Sequence, residues 1–182
     1  MKKVAVIYKS TYGCTKQYAA WIAEALDATL YDLMDVQEAA LLQYDTIIFG
    51  GGIYAGKIDG ITFVLRNFEH WKGKQILLFT VGLVDPIYKE AFQGMINQTF
   101  TKEMQKWFTI FHFRGALDYK KLHFMHKSLI SMLRMSAKGQ DARTKEEAAL
   151  LDVQADQIQF VNKEAIAPLV ALAKQEEGRE LA

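Results

Sequence analysis

The stretch that decides the fold is Val4-Ala5-Val6-Ile7-Tyr8, followed closely by Ser10-Thr11-Tyr12-Gly13-Cys14-Thr15. The first run is β-branched and almost wholly apolar, which is typical of a strand buried on both faces of a sheet. Downstream, Tyr18, Ile22 and Leu26 recur four residues apart, and this spacing predicts an amphipathic helix. The hydroxyl-rich stretch between them is therefore predicted to be a strand-to-helix turn.

Hydroxyl groups crowd this turn, and a single glycine accompanies them. A helix N-terminus offers unpaired backbone N–H groups and the positive end of the helix dipole, so the turn suits a phosphate. It lacks both the Gly-Lys-Ser/Thr ending of triphosphatase loops and the G-x-G-x-x-G of dinucleotide loops. Hydroxyls and amides would hold the phosphate without a dedicated cation, which favours the terminal phosphomonoester of FMN. The same composition also suits a simple helix cap with no ligand.

Composition narrows the class of protein. The chain has 182 residues, of which 51% are hydrophobic, and we expect one domain over 1–182 with a full core. A net charge of +1 favours neither a nucleic-acid partner nor an acidic docking surface. Cys14 is the single cysteine, which fits a reducing compartment. No apolar run approaches the roughly 18 residues of a membrane-spanning helix, and no signal peptide is recognised, so we expect a cytoplasmic protein.

Apolar strands alternate with helical segments along the chain. Besides the first strand, strands are predicted at 29–32, 46–49, 76–81 and 108–113. Besides the first helix, helices are predicted near 36–42, 60–70 and 86–106. The alternation predicts an α/β fold with a doubly wound, five-stranded parallel sheet. If the strand order is 2-1-3-4-5, a ligand would lie at the carboxyl edge of this sheet.

The first, third and fourth predicted strands end in loops rich in glycine or hydroxyl groups, and that strand order places these loops side by side. Gly50-Gly51-Gly52 would let the backbone approach a flat ligand, although it can also be an ordinary turn. Tyr54 would pack on an isoalloxazine ring or be a half-exposed loop aromatic. The residues predicted to bracket the ring are Gly52, Ile53, Tyr54, Ala55, Thr80, Gly82 and Leu83.

Together these features resemble the flavodoxin-like family over nearly the whole chain. The turn at 10–15 is similar to that family's FMN-phosphate loop, T/S-x-T-G-x-T, with a tyrosine replacing the usual middle threonine. Loops 51–57 and 80–85 correspond in order and position to the family's two ring-flanking loops. The resemblance implies a noncovalently bound FMN. The residues it implies for the phosphate are Ser10, Thr11, Tyr12, Gly13, Cys14 and Thr15.

Charge balance and a downstream segment favour an enzyme over a carrier. Carrier flavodoxins are strongly acidic, whereas this chain has 22 Lys+Arg against 21 Asp+Glu. Segment 120–135, entered through Gly115-Ala116-Leu117-Asp118-Tyr119, resembles the insert of flavodoxin-type, menaquinone-linked protoporphyrinogen oxidases of haem synthesis. This resemblance implies a hydrophobic donor such as protoporphyrinogen, and a quinone acceptor. We expect a helical insert at about 116–151 and a C-terminal helix at 162–178. Asn162 would cap this last helix, or Pro168 would set a later start.

Several alternatives stay open. The helix at 120–135 would lie in a membrane interface, as a peripheral contact, or pack on the sheet with its charges in water. His112, His123 and His126 lack a carboxylate at ligand spacing, so no metal site is predicted. An electron carrier, an NAD(P)H-dependent quinone reductase and an FMN-free interaction module remain rival functions. The sequence assigns neither an acid–base residue nor an oligomeric state.

Overall fold

A parallel sheet forms the centre of the molecule. The computed structural model describes residues 2–118, 120 and 157–175. Its parallel strands are β1 (Val4–Lys9), β2 (Thr29–Asp32), β3 (Thr46–Tyr54), β5 (Gln75–Gly82) and β6 (Phe108–Arg114), and a short β4 (Lys57–Ile58) pairs antiparallel with β3. The spatial order is β2-β1-β3-β5-β6. Since β4 lies off this path, the predicted 2-1-3-4-5 order of the parallel strands is confirmed.

Helices cover both faces of this sheet. The α-helices are α1 (Cys14–Leu26), α2 (Ile61–Asn67), α3 (Lys89–Thr99), α4 (Lys102–Trp107) and α5 (Ala167–Lys174). Shorter 3₁₀ helices span Glu38–Gln43, Glu69–Trp71 and Lys163–Ile166.

Side chains of consecutive strand residues point to opposite faces of the sheet, and a separate hydrophobic core lies on each face. Val6 points into a cluster with α1 and α5, whereas its neighbour Ile7 points into a cluster with α2 and α3. Consecutive strand residues face opposite sides of a sheet, so a wholly apolar strand is needed where both sides are covered. All three tryptophans belong to these cores: Trp71 is buried in the second cluster, and Trp21 and Trp107 pack against the first and the second cluster.

The helix between β5 and β6 differs from the prediction. The single helix predicted at 86–106 is wrong: α3 begins only at Lys89, and a break at Phe100 separates it from α4. Phe100 is extended and only 2% exposed, because its ring is part of the core. Thr101 then caps α4 by accepting a hydrogen bond from Met104 N at 3.2 Å.

The other predicted helices also change in detail. The segment predicted at 36–42 is the 3₁₀ helix Glu38–Gln43, and the one predicted at 60–70 divides into α2 and a 3₁₀ turn. At the C-terminal helix, Asn162 Oδ1 accepts from Glu164 N at 2.9 Å. A 3₁₀ turn follows, and α5 begins at Ala167 with Pro168 in its first turn. The α-helix therefore starts after 162, and the later start predicted from Pro168 is confirmed.

Beyond β6 the chain forms a second, two-stranded sheet. β7 (Ala116–Asp118) pairs antiparallel with β8 (Gln157–Gln159). The predicted helical insert is therefore wrong at 116–118, which are strand. The rest of that insert, including all but one residue of the helix predicted at 120–135, lies outside the described residues, as does the predicted helix end at 176–178. One domain over 1–182 stays a prediction.

Candidate functional site

The turn at 10–15 joins β1 to α1, as predicted, and leaves the helix N-terminus uncapped. Gly13 adopts φ 96°, in the left-handed region that favours glycine. No side chain caps α1, and its first turn carries no acidic residue. The N–H groups that begin the helix thus meet neither a capping oxygen nor a negative charge from its own turn. This arrangement is suited to an anion.

Ser10 shapes the inside of this turn. Its Oγ accepts a hydrogen bond from Gly13 N at 3.1 Å. The predicted phosphate amide of Gly13 is therefore committed to Ser10, whereas the hydroxyl hydrogen of Ser10 is not used in that bond. Thr15, the second predicted hydroxyl, is buried at the start of α1. The Ser10 hydroxyl and the first amides of the helix are therefore donors that this turn can offer.

The loops after β1 and β3 meet, as the topology predicts. Thr11 Oγ1 donates to Asp59 Oδ2 at 3.3 Å, and the rings of Tyr12 and Tyr54 pack edge to face with centroids 5.7 Å apart. Burial raises the pKa of Tyr54 to about 12, an effect that a hydrogen bond with Thr11 opposes and the negative charge of Asp59 strengthens. Tyr54 is thus a neutral phenol at physiological pH.

The glycine run in β3 makes room for protein groups. A Cβ on Gly50 would run into the ring of Phe79, and one on Gly51 would lie 2.5 Å from the carbonyl oxygen of Asp59. A Cβ on Gly52 would lie 2.7 Å from the Tyr54 ring, which folds back over the strand. The close approach expected at these glycines is therefore made by the protein's own side chains and backbone.

A tight hairpin that the sequence analysis missed follows directly. Tyr54 pairs with Lys57 across β3 and β4, and the two residues between them, Ala55 and Gly56, have φ of 50° and 72°. Two consecutive left-handed residues define a type I′ turn, which joins antiparallel strands. The usual signal for such a turn is Asn-Gly, so Ala-Gly gave little warning. The hairpin exposes Ala55 and holds Tyr54 at its base.

The ring residues predicted at the end of β5 and in the loop after it differ in exposure. Thr80 is 1% exposed, and its Oγ1 shares a hydrogen bond of 2.6 Å with His112 Nδ1. The His112 ring stacks on Phe92 at 3.8 Å, and burial lowers its pKa to about 4. Gly82 and Leu83, the other ring residues predicted here, are partly exposed. A Cβ on Gly82 would lie 3.4 Å from Ile53, so the two predicted ring loops adjoin.

Sequence reasoning also missed the residues that join this edge to β6 and β7. Arg114 at the end of β6 pairs with Asp85, and Ala116 N donates to the Cys14 thiol at 3.3 Å. Each pair joins residues far apart in sequence, which no local pattern reveals. Cys14 thus connects the 10–15 turn to β7.

A metal-binding cluster and a membrane-spanning helix are both absent from the part of the chain that the structure describes. No group of three or more His, Cys, Asp or Glu residues there is arranged to hold a metal ion. None of the helices there has the length and apolar character needed to cross a bilayer. His123 and His126 lie outside this part.

The family model described as a flavodoxin domain matches residues 5–144. The chain belongs to the flavodoxin domain family. Its neighbours of flavodoxin fold are FMN-binding flavoproteins. An uncharacterised protein of Methanocaldococcus jannaschii is 33% identical to this flavodoxin domain over 92 residues, which are 50% of this chain. The matched stretch spans about 60% of that relative's length.

Solved structures with a related fold include a WrbA-like flavodoxin from Agrobacterium tumefaciens, at 18% identity and a TM-score of 0.44, covering 96% of this chain and 100% of that one. Another is two-electron reduced Megasphaera elsdenii flavodoxin, at 18% identity and a TM-score of 0.46, covering 61% and 85%. With both TM-scores below 0.5, the family assignment rests on the match over residues 5–144.

Proposed function

We propose that this flavodoxin domain binds FMN noncovalently and works as an oxidoreductase. The observation that carries the proposal is the uncapped N-terminus of α1, entered through left-handed Gly13 and lying beside the loops after β3 and β5. FMN supplies one- and two-electron chemistry when bound, and the protein supplies position and electrostatics.

The phosphate would be held by the Ser10 hydroxyl and by the amides that begin α1. No Lys or Arg lies within the 10–15 turn, so hydrogen bonds and the helix dipole would have to stabilise the phosphate charge. The ring would lie between the loops that carry Tyr54 and Leu83. Because the pKa of Tyr54 is about 12, its hydroxyl would stay protonated and add no negative charge beside the cofactor.

For the substrates, we propose a hydrophobic donor of the protoporphyrinogen type and a quinone acceptor. Support comes from the near balance of 22 Lys+Arg and 21 Asp+Glu, which gives no strong acidic field for docking on basic carrier partners. Further support comes from the resemblance of residues 115–135 to the insert of menaquinone-linked oxidases. Each turnover would remove two electrons and two protons from the donor and deliver the same number to the quinone. Peripheral membrane contact through 120–135 belongs to this proposal.

Flavin titration tests the site. The apoprotein is titrated with FMN and with riboflavin, which lacks the phosphate, and flavin fluorescence is followed. We expect Ser10→Ala to weaken FMN binding by about tenfold, the value of one charge-assisted hydrogen bond, and to leave riboflavin binding unchanged. Thr101→Ala, which removes a capping hydroxyl from α4, is the matched control. Equal losses for both flavins in Ser10→Ala would contradict the phosphate assignment.

Turnover tests the substrate class. FMN-loaded protein is mixed anaerobically with protoporphyrinogen IX and a menaquinone analogue, and porphyrin fluorescence is recorded. Oxidation that depends on both the flavin and the quinone is the expected result. Bound flavin without turnover would contradict this donor, and rapid reduction by NADH or NADPH would instead favour a quinone reductase. If the protein stays colourless when it is mixed with FMN, the flavin proposal fails and the rival function of an FMN-free interaction module is favoured.

A further inference from the structure

The loop between β5 and α3 is organised around one carboxylate. Asp85 Oδ1 accepts a hydrogen bond from Ile87 N at 3.0 Å, and the Asp85 carbonyl accepts one from Tyr88 N at 3.0 Å. An aspartate that bonds to the backbone two residues ahead forms an Asx turn. Ile87 is 75% exposed, so apolar burial of this side chain contributes little to fixing the loop. Val84 packs against the core at the start of the loop, so the polar contacts of Asp85 matter most for the segment that follows it.

The second oxygen of the same carboxylate is held from outside the loop. Arg114 Nη1 donates to Asp85 Oδ2 at 3.2 Å. Side-chain exposures of 27% for Arg114 and 40% for Asp85 make this a partly buried pair, less screened than an ion pair in open solvent. Arg114 is paired in register with Gly82, one of the predicted ring residues. The contact thus lies at the carboxyl edge of the sheet.

Arg114 is itself fixed on several sides. Its guanidinium carbon lies 3.4 Å from the ring centroid of Phe160, directly after β8. Its carbonyl oxygen accepts from the Tyr18 hydroxyl at 2.8 Å, and that hydroxyl oxygen accepts from Asn162 N at 3.0 Å. Stacking on an aromatic face restricts the guanidinium plane and directs its donors. A lysine could supply the charge but not this planar contact.

We propose that Arg114 and Asp85 are a positioning pair that holds the loop Leu83–Tyr88 against the flavin ring, with Phe160 orienting the arginine. The inference rests on the proposed binding of FMN. It gives Asp85 of the loop 80–85 a role and adds Arg114 and Phe160, to which neither the loop resemblance nor the 10–15 turn points. Neither residue needs to touch the flavin, since the pair acts through the loop. It therefore acts on the ring end of the cofactor and leaves the phosphate end unaffected.

The first test compares two ligands in matched variants. Arg114→Gln and Asp85→Asn should each weaken FMN and riboflavin by the same factor, about fivefold, as expected for one lost ordering interaction of about 1 kcal/mol. The double variant should lose no more than either single variant. Arg114→Lys should recover part of the loss through its charge, but not all, because stacking on Phe160 is weakened. Arg66→Gln, which breaks the exposed Arg66–Glu38 pair, is the matched control and should change neither affinity.

The second test needs no flavin. Hydrogen exchange of the amides at 83–88 is measured in flavin-free wild type, Arg114→Gln and Arg66→Gln. We expect faster exchange in that loop for Arg114→Gln alone, with unchanged exchange in β5. Unchanged loop exchange would overturn the positioning pair, as would additive losses in the double variant. If wild type binds no flavin while the loop exchange still changes, the pair stands as a loop anchor and the flavin proposal fails.

Discussion

Ala55 is strained at the tip of the hairpin between β3 and β4. Its φ of 50° lies in the left-handed region, which costs an L-residue with a Cβ roughly 1–2 kcal/mol. Asparagine tolerates this region and is preferred at the first central position of a type I′ turn. We expect Ala55→Asn to raise the free energy of unfolding by about 0.5–1 kcal/mol. Urea denaturation followed by circular dichroism measures the change.

Gly56 is the matched control for this turn. Its φ is 72°, and a Cβ there would meet no atom within 4 Å, so only backbone strain opposes a side chain. Gly56→Ala should lower the free energy of unfolding by roughly 1 kcal/mol, opposite in sign to Ala55→Asn. A stabilising Gly56→Ala would show that the turn is not type I′ in solution.

His112 makes stability depend on pH. Burial lowers its pKa from 6.5 to about 4, so between these values the unfolded chain binds a proton that the folded protein does not. The stability that neutral, buried His112 contributes is fully present above pH 6.5. It is lost as the pH falls from 6.5 towards 4. We expect the free energy of unfolding to decline by up to about 1.4 kcal/mol per pH unit in this window. Urea titrations at a series of pH values measure the slope.

His112→Asn removes the titrating group while keeping a side chain that can hydrogen-bond Thr80. The slope between pH 6.5 and pH 4 should become shallower in this variant. His70→Asn, at an exposed histidine in the 3₁₀ turn after α2, is the comparison variant. Identical slopes in all three proteins would mean that the folded protein does not lower the pKa of His112.

At the scale of elements, β3 depends on Gly50 for its close contact with the neighbouring strand β5. A methyl group on Gly50 would occupy the space of the Phe79 ring. Gly50→Ala should therefore destabilise the protein by about 1–3 kcal/mol or more, the usual cost of overpacking. The penalty should shrink when Gly50→Ala is made in a Phe79→Leu background, whose smaller side chain leaves room. Thermal unfolding of the four proteins gives the coupling, and strict additivity would refute the steric explanation.

Helix α3 gives the opposite case for glycine. Gly94 lies inside the helix, and a Cβ there would meet no atom within 4 Å. Gly94→Ala should stabilise the protein by about 0.8–1 kcal/mol through helix propensity alone. A loss of stability in thermal unfolding would mean that the exposed face of α3 makes contacts absent from the described residues.

Secondary-structure elements were predictable where a single hydrophobic pattern runs through the segment. They were less predictable where burial of a side chain in the core changes the local backbone. The apolar runs of β1, β3 and β5 specify strands because burial on both faces leaves few alternatives. The break between α3 and α4 was not predictable, since the residues around Phe100 continue a helical pattern. Burying that ring in the core requires extended backbone there. β7 was missed because its partner strand β8 lies 39 or more residues later in the chain.

At the scale of the whole molecule, one part of the candidate site was predictable from the sequence and another part was not. Strand order alone brought the loops after β1 and β3 together, and the Thr11–Asp59 contact shows the result. The strand-to-helix turn at 10–15 was predictable because its residues are contiguous in sequence. The Asp85–Arg114–Phe160 contacts were not, because they join three segments whose meeting depends on both sheets. Sequence patterns therefore predict residues that are contiguous in the chain, such as the 10–15 turn. They do not predict contacts between residues that only the fold brings together.

The pairing of β7 with β8 sets up a test of the whole molecule. Asp118 lies directly opposite Gln157 in this antiparallel pair, so a two-residue Asn-Gly turn could connect them in place of 119–156. We expect this variant to fold and to bind FMN with unchanged affinity, because the proposed flavin contacts lie before residue 116. Oxidation of protoporphyrinogen IX should be lost, whereas photoreduced protein should still be reoxidised by a water-soluble quinone. Full turnover would exclude 119–156 from donor recognition, and loss of FMN binding would place part of that segment in the flavin site.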